Sequence, residues 1–193
     1  MSEKSNKYVS RAGDKLADAN LAFKVDFRGK TVLDIGSSTG GFTDYALQQG
    51  ASKVIAVEIG TNQLHPKLRA DKRVELYEKT DIFDFWPQTP IDIVVIDTSF
   101  ISLRKVLGYL QQKLINSSNV VILAMLKPQF EANSTEVVNG VVKNSTIRRR
   151  IIKDFEQWVK PRFKICSKKD NAISGMHGNI ERFYMLRPIN DNR

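Results

Sequence analysis

Thr31-Val32-Leu33-Asp34-Ile35-Gly36-Ser37-Ser38-Thr39-Gly40-Gly41-Phe42 is the stretch that decides the fold. A β-branched apolar run ends in an acid, turns through glycines and passes into residues 42–49, which carry apolar side chains at helical spacing. Strand, glycine turn and helix in that order open a βαβ unit. Gly36 permits a sharp turn with positive φ, and Gly40 and Gly41 are read as keeping the backbone open to a ligand. The spacing Asp-x-Gly-x-x-x-Gly-Gly is not the Gly-x-Gly-x-x-Gly of nicotinamide folds. No lysine follows, as a P-loop would require.

The same alternation continues outward from this unit. Residues 53–58, 74–78, 91–97, 119–126, 162–167 and 180–186 read as strands, and 62–69, 103–113 and 146–159 as helices. The central strands are apolar throughout, as in a sheet buried on both faces. The prediction is an α/β, Rossmann-like fold with a mostly parallel seven-stranded sheet and helices on both faces. Residues 8–27 look helical, so 1–28 is read as an N-terminal helical segment and 29–193 as the α/β domain. Residues 130–145 lack periodicity and are expected to form a mobile loop beside the site.

Composition bounds the function. The 193 residues carry 30 Lys plus Arg against 21 Asp plus Glu, a net charge of +9. That excess favours a polyanionic partner, nucleic acid before anionic membrane. The single Cys166 excludes an internal disulfide framework, and with His65 and His177 it is too few for a four-ligand Cys/His zinc site. His65 reads as a surface or helix residue and His177 as a loop-shaping one; no metal is expected. No apolar run approaches the roughly eighteen residues that span a bilayer. The polar first residues lack a signal-peptide core, so a cytoplasmic location is expected.

Three acids fall at successive strand ends. Asp34 is read as supporting the glycine turn and a ligand ammonium. Glu58 follows Gly36 by 22 residues, where a carboxylate accepts ribose hydroxyls. Asp81 follows the third strand, within reach of an adenine amino group or, alternatively, as a helix N-cap. The set predicts an S-adenosylmethionine (SAM) site formed by Asp34, Gly36, Ser38, Gly40, Gly41, Phe42, Glu58, Asp81, Ile82 and Asp97.

A second constellation lies further along. Asp97 opens Asp97-Thr98-Ser99-Phe100-Ile101-Ser102-Leu103 after the fourth strand. Lys127 opens Lys127-Pro128-Gln129-Phe130 after the fifth. Glu181 closes Gly178-Asn179-Ile180-Glu181, and Lys15 follows Tyr8-Val9-Ser10-Arg11 in the N-terminal segment. With 33–42, these segments resemble the TlyA family of ribosomal RNA 2′-O-methyltransferases, often called haemolysins, within the wider FtsJ-like group. They span nearly the whole chain in order.

The resemblance implies a Lys-Asp-Lys-Glu tetrad serving a 2′-hydroxyl, with Lys15, Asp97, Lys127 and Glu181 in its places. It implies SAM as cofactor and rRNA cytidines as substrate. Family members usually carry an N-terminal S4 RNA-binding domain, which is expected to be absent here. A ribose hydroxyl is a weak acid, so Lys127 is expected to accept its proton and Lys15 to stabilise the developing alkoxide. Asp97 and Glu181 would orient the lysines. Lys7 and Arg11 are the first candidates for RNA contact, ahead of Arg148 and Arg149 in the cationic run at 148–150. The rival readings are a membrane-active cytolysin, a methyltransferase of a non-RNA acceptor, and a cofactor-binding module without catalysis.

Overall fold

A computed structural model describes residues 7–114, 117–173 and 178–189; His177 lies outside the described residues. The strands are β1 (Thr31–Ile35), β2 (Lys53–Val57), β3 (Val74–Tyr77), β4 (Ile93–Ile96), β5 (Val121–Leu126), β6 (Phe163–Asp170) and β7 (Arg182–Pro188). They form a seven-stranded sheet in the order β3-β2-β1-β4-β5-β7-β6, the α/β architecture expected. The α-helices are α1 (Arg11–Phe23), α2 (Gly41–Gln48), α3 (Pro66–Arg69), α4 (Leu103–Tyr109) and α5 (Ser145–Val159). The chain divides into two compact units, Met1–Val95 and Ile96–Arg193.

In the first unit β1 pairs parallel with β2, and β2 with β3. Val32, Leu33, Ile35 and residues 54–57 are almost completely buried, which accounts for the unbroken apolar character of these strands. Helix α2 packs on β1 and β2, and α1 packs on α2. A Cβ on Gly13 would fall 2.5 Å from Tyr8 and 2.9 Å from the Gly41 carbonyl oxygen, so small residues set the approach of α1 to α2. The segment before α1 is tied down by its backbone. The Val9 N–H donates to the buried Asp44 carboxylate at 2.9 Å, and Gln48 donates to the Lys7 carbonyl at 3.1 Å. Tyr45 sits between Tyr8 and Phe27, ring centroids 5.6 and 5.5 Å away. Residues 7–28 therefore share their packing with the strand–turn–helix unit that follows them.

In the second unit β7 pairs antiparallel with both β5 and β6. Parallel neighbours need a long crossover, usually a helix; β6 and β7 are joined by only the short stretch 171–181. Residues 130–145 are more ordered than their sequence suggests. Asn133 and Glu136 form a reciprocal capping box, Val138 bridges Val141, and Val141 and Val142 are buried. The predicted helix at 62–69 shrinks to α3, because Asn62 adopts a left-handed backbone with φ 56° and His65 caps the helix by accepting the Lys67 N–H at 3.2 Å.

Candidate active site

The glycine turn leaving β1 is held by bonds within the first unit. The N–H groups of Gly36 and Ser37 donate to the Val57 carbonyl at 2.9 and 3.2 Å, and the Gly40 N–H returns to the Ser37 carbonyl at 2.7 Å. Ser38 stands in the left-handed region with φ 47°. Its N–H donates to Glu58 Oε2 at 2.9 Å, while Glu58 Oε1 accepts the Gly60 N–H at 2.7 Å. Glu58 is only 8% exposed, yet each carboxylate oxygen keeps lone-pair capacity beyond these bonds.

Two glycines have different neighbours from those expected. Gly40 has φ 97°, and a Cβ there would collide with Leu68 Cδ1 and lie 2.7 Å from Leu64 Cδ1. Gly41 faces Ser10, Gly13 and Ala12 at the start of α1. At both positions the space that a Cβ would take is filled by the protein's own side chains and the start of α1. Asp34 is completely buried, and its Oδ2 accepts the Thr43 hydroxyl at 2.6 Å, pinning the end of β1 to α2. The carboxylate braces the turn from within the core. Phe42 is likewise a core residue of α2.

At the end of β3, Asp81 accepts the Phe83 N–H at 3.1 Å and caps a short 3₁₀ turn, Ile82–Asp84. The N-cap reading is thus realised, with Asp81 still half-buried and Ile82 buried. Ile59, next to Glu58, is 70% exposed. Sequence reasoning passed over it because an isolated Ile after a strand carries no signal; an exposed apolar side chain beside a ribose-type acid suits the face of a base. Gln63, whose Oε1 accepts the Ser38 hydroxyl at 3.1 Å, was missed for the same reason.

The second unit holds the other constellation. Lys127 Nζ lies 2.7 Å from Asp97 Oδ1 and donates to Ser99 Oγ at 2.8 Å. The Lys127 and Asp97 side chains are 11% and 18% exposed. Phe100 follows with φ 65° and 92% exposure, and its ring lies 5.3 Å from Phe130, the ring that Lys127 Nζ approaches at 5.8 Å. A bulky residue in the left-handed region is strained, and such outliers gather at functional sites. Glu131 closes this cluster. Its carboxylate accepts the Leu103 N–H at 2.6 Å and the Ser102 hydroxyl at 2.8 Å, capping α4 from 28 residues away. Burial pushes its carboxyl above the ordinary range, outweighing those two hydrogen bonds and Arg104. Contacts so distant along the chain leave no local pattern to read.

Glu181 is buried just before β7, and its carbonyl accepts the Asn171 N–H at 2.9 Å. Lys15 is half-buried in α1. Arg148 departs from expectation. It donates to Asp170 at 2.7 Å and to the Ile180 carbonyl at 3.1 Å, and its side chain is 16% exposed, so it braces β6 and the entry to β7. Arg150 pairs with Glu136 at 2.5 Å. Arg149, Lys7 and Arg11 are exposed.

A family model described as FtsJ-like methyltransferase matches residues 8–187. The chain belongs to the FtsJ-like methyltransferase family. The chain is 41% identical over 182 residues to the Bacillus subtilis protein YqxC, named for rRNA methylation, and spans 64% of that relative's length. It is 35% identical over 183 residues to the 23S rRNA (cytidine-2′-O)-methyltransferase TlyA of Campylobacter jejuni, covering 93% of this chain and 71% of that one. A crystal structure of a hemolysin-type protein from Lactococcus lactis superposes with a TM-score of 0.88 at 38% identity, covering 94% of this chain and 88% of the other. Among the described residues, no helix is long and apolar enough to cross a membrane.

Proposed function

We propose that the chain is a SAM-dependent methyltransferase whose acceptor is a ribose 2′-hydroxyl, of a cytidine in rRNA, and that it acts in the cytoplasm. The observation that carries this reading is the Lys127–Asp97 ion pair directly after two strand ends. Two TlyA-type motifs far apart in sequence meet there, in a chain of the FtsJ-like family.

The first unit suits the cofactor. Glu58 presents a nearly buried carboxylate with spare lone pairs beside a left-handed turn, Ile59 an exposed apolar face, and Asp81 an acid at the next strand end. Glu58 would hold the ribose, Asp81 and Ile59 the base, and the Gly36–Ser38 backbone the amino-acid end, with Asp34, Gly40, Gly41 and Phe42 maintaining the turn. SAM supplies an electrophilic methyl group on a sulfonium sulfur.

The chain's own residues act on the acceptor oxygen. Lys127 first releases its own proton to solvent water; its neutral amine then takes the 2′-hydroxyl proton as the oxygen attacks, and Asp97 holds the lysine head. Lys15 stabilises charge on the oxygen and Glu181 orients it. Phe100 and Phe130 offer aromatic faces for an unpaired base. Lys7, Arg11 and Arg149 contact phosphates.

Transfer of tritiated methyl from SAM to separated ribosomal subunits and naked rRNA, followed by product mapping, tests the reading. Label on a 2′-oxygen supports it. Label on a base or protein, or no incorporation into any RNA, overturns it.

A further inference from the structure

We infer that Ser99 is a positioning residue for Lys127, fixing the rotation of the lysine head that serves the acceptor hydroxyl. The inference rests on the role proposed for Lys127. A protonated lysine carries three N–H donors on a single freely rotating head. One carboxylate holds its position but not its rotation. Here Nζ is paired with Asp97 Oδ1 at 2.7 Å, an oxygen that accepts no hydrogen bond, and donates a hydrogen bond to Ser99 Oγ at 2.8 Å. One directed bond to Ser99 fixes rotation about the Cε–Nζ axis, and with it the direction of the lone pair that Nζ carries once it has lost a proton.

Ser99 is itself well placed for this work. It stands two residues from Asp97, on the stretch joining β4 to α4, so one loop supplies both the ion-pair partner and the hydrogen-bond acceptor. The loop's far end is bound where Glu131 accepts the Ser102 hydroxyl and Leu103 N–H, at 2.8 and 2.6 Å. Its middle is turned by the left-handed Phe100, φ 65°. Ser99 is exposed whereas the Lys127 side chain is 11% exposed, so the hydroxyl marks the solvent side of the lysine head. A hydroxyl accepts from the lysine and still has a proton to donate.

Single-turnover methylation of ribosomal subunits across pH, with calorimetric SAM binding, tests this in Ser99→Ala, Ser99→Thr and Lys127→Ala. Ser99→Ala is expected to lower the rate roughly 10- to 100-fold, the scale of a small misplacement of a reacting group. Its pH–rate profile should be displaced from the parent's, with SAM affinity unchanged. Ser99→Thr keeps the hydroxyl and should restore both rate and profile. If Lys127→Ala is inactive while Ser99→Ala keeps the parental rate and profile, the inference fails and the role of Lys127 stands. A rate loss in Ser99→Ala with an undisplaced profile that threonine does not restore also overturns it. If Lys127→Ala itself turns over at the parental rate, the reading of Lys127 fails.

Discussion

Glu58 accepts the N–H of Ser38 at 2.9 Å, so the acid that ends β2 holds the turn that leaves β1. One carboxylate thereby braces a left-handed residue and presents its remaining lone pairs at the same strand edge. Glu58→Ala should weaken SAM binding by about 1.5–3 kcal/mol, the range for losing a charged hydrogen-bond partner. It should also speed amide exchange at residues 36–40. Calorimetry and hydrogen exchange read the two effects separately. Unchanged affinity would remove Glu58 from the cofactor site, whatever happens to the turn.

Gly40→Val should destabilise the fold by roughly 2–4 kcal/mol, combining the left-handed backbone penalty with overpacking against Leu64 and Leu68. Thermal melting measures it. Gly40→Ala combined with Leu68→Ala should be less destabilised than the sum of its parts, since the second change removes the colliding methyl group. Strict additivity would show that the collision is not the cause.

Lys127→Ala should abolish methyl transfer and leave SAM binding intact. Lys127→Arg should be inactive too, because a guanidinium stays protonated in proteins and cannot take the hydroxyl proton. A Lys127→Arg variant with near-parental single-turnover rates would reduce the lysine's role to an electrostatic one.

Asn179 donates to the Gly140 carbonyl at 2.8 Å and its side-chain oxygen accepts from the Val142 N–H at 3.4 Å, clamping the 138–142 turn. Asn179→Ala should cost about 1–3 kcal/mol, the penalty for buried groups left without a partner. Exchange should accelerate selectively at residues 138–142. Protection equal to the parent's would mean that the buried Val141 and Val142 hold the turn unaided.

Burial acts to raise the Asp170 carboxyl, but hydrogen bonds from Arg182 and Arg148 outweigh it and hold the group below its ordinary value. For an acid with a depressed folded-state value, the stabilising contribution is present above its ordinary value and is lost as pH falls through the folded-state one. Asp170→Asn should therefore flatten the acid limb of stability against pH, and change its slope little near neutrality. Urea melts from acid to neutral pH read this; an unchanged acid limb would rule out the linkage.

The sequence by itself determined the α/β class, the strand order along the chain, the motif segments and the acids at strand ends. Those features depend on periodicity and on neighbours within a few residues, such as the apolar run of β1 followed by Gly36. The tertiary structure decided what those residues touch. Gly40 and Gly41 read as residues that must stay small, and the structure shows a Cβ there meeting Leu68 and the start of α1; Asp34 reads as a support of the turn, and the structure supplies its partner, Thr43. Arg148 reads as a candidate for RNA contact, and in the structure Asp170 and the Ile180 carbonyl hold it. Glu131 and Ser99, invisible along the chain, become partners of α4 and Lys127 from 28 residues away. Chain spacing reports which local conformations are allowed, whereas a hydrogen bond or steric contact between distant residues exists only once the sheet and its helices have brought them together.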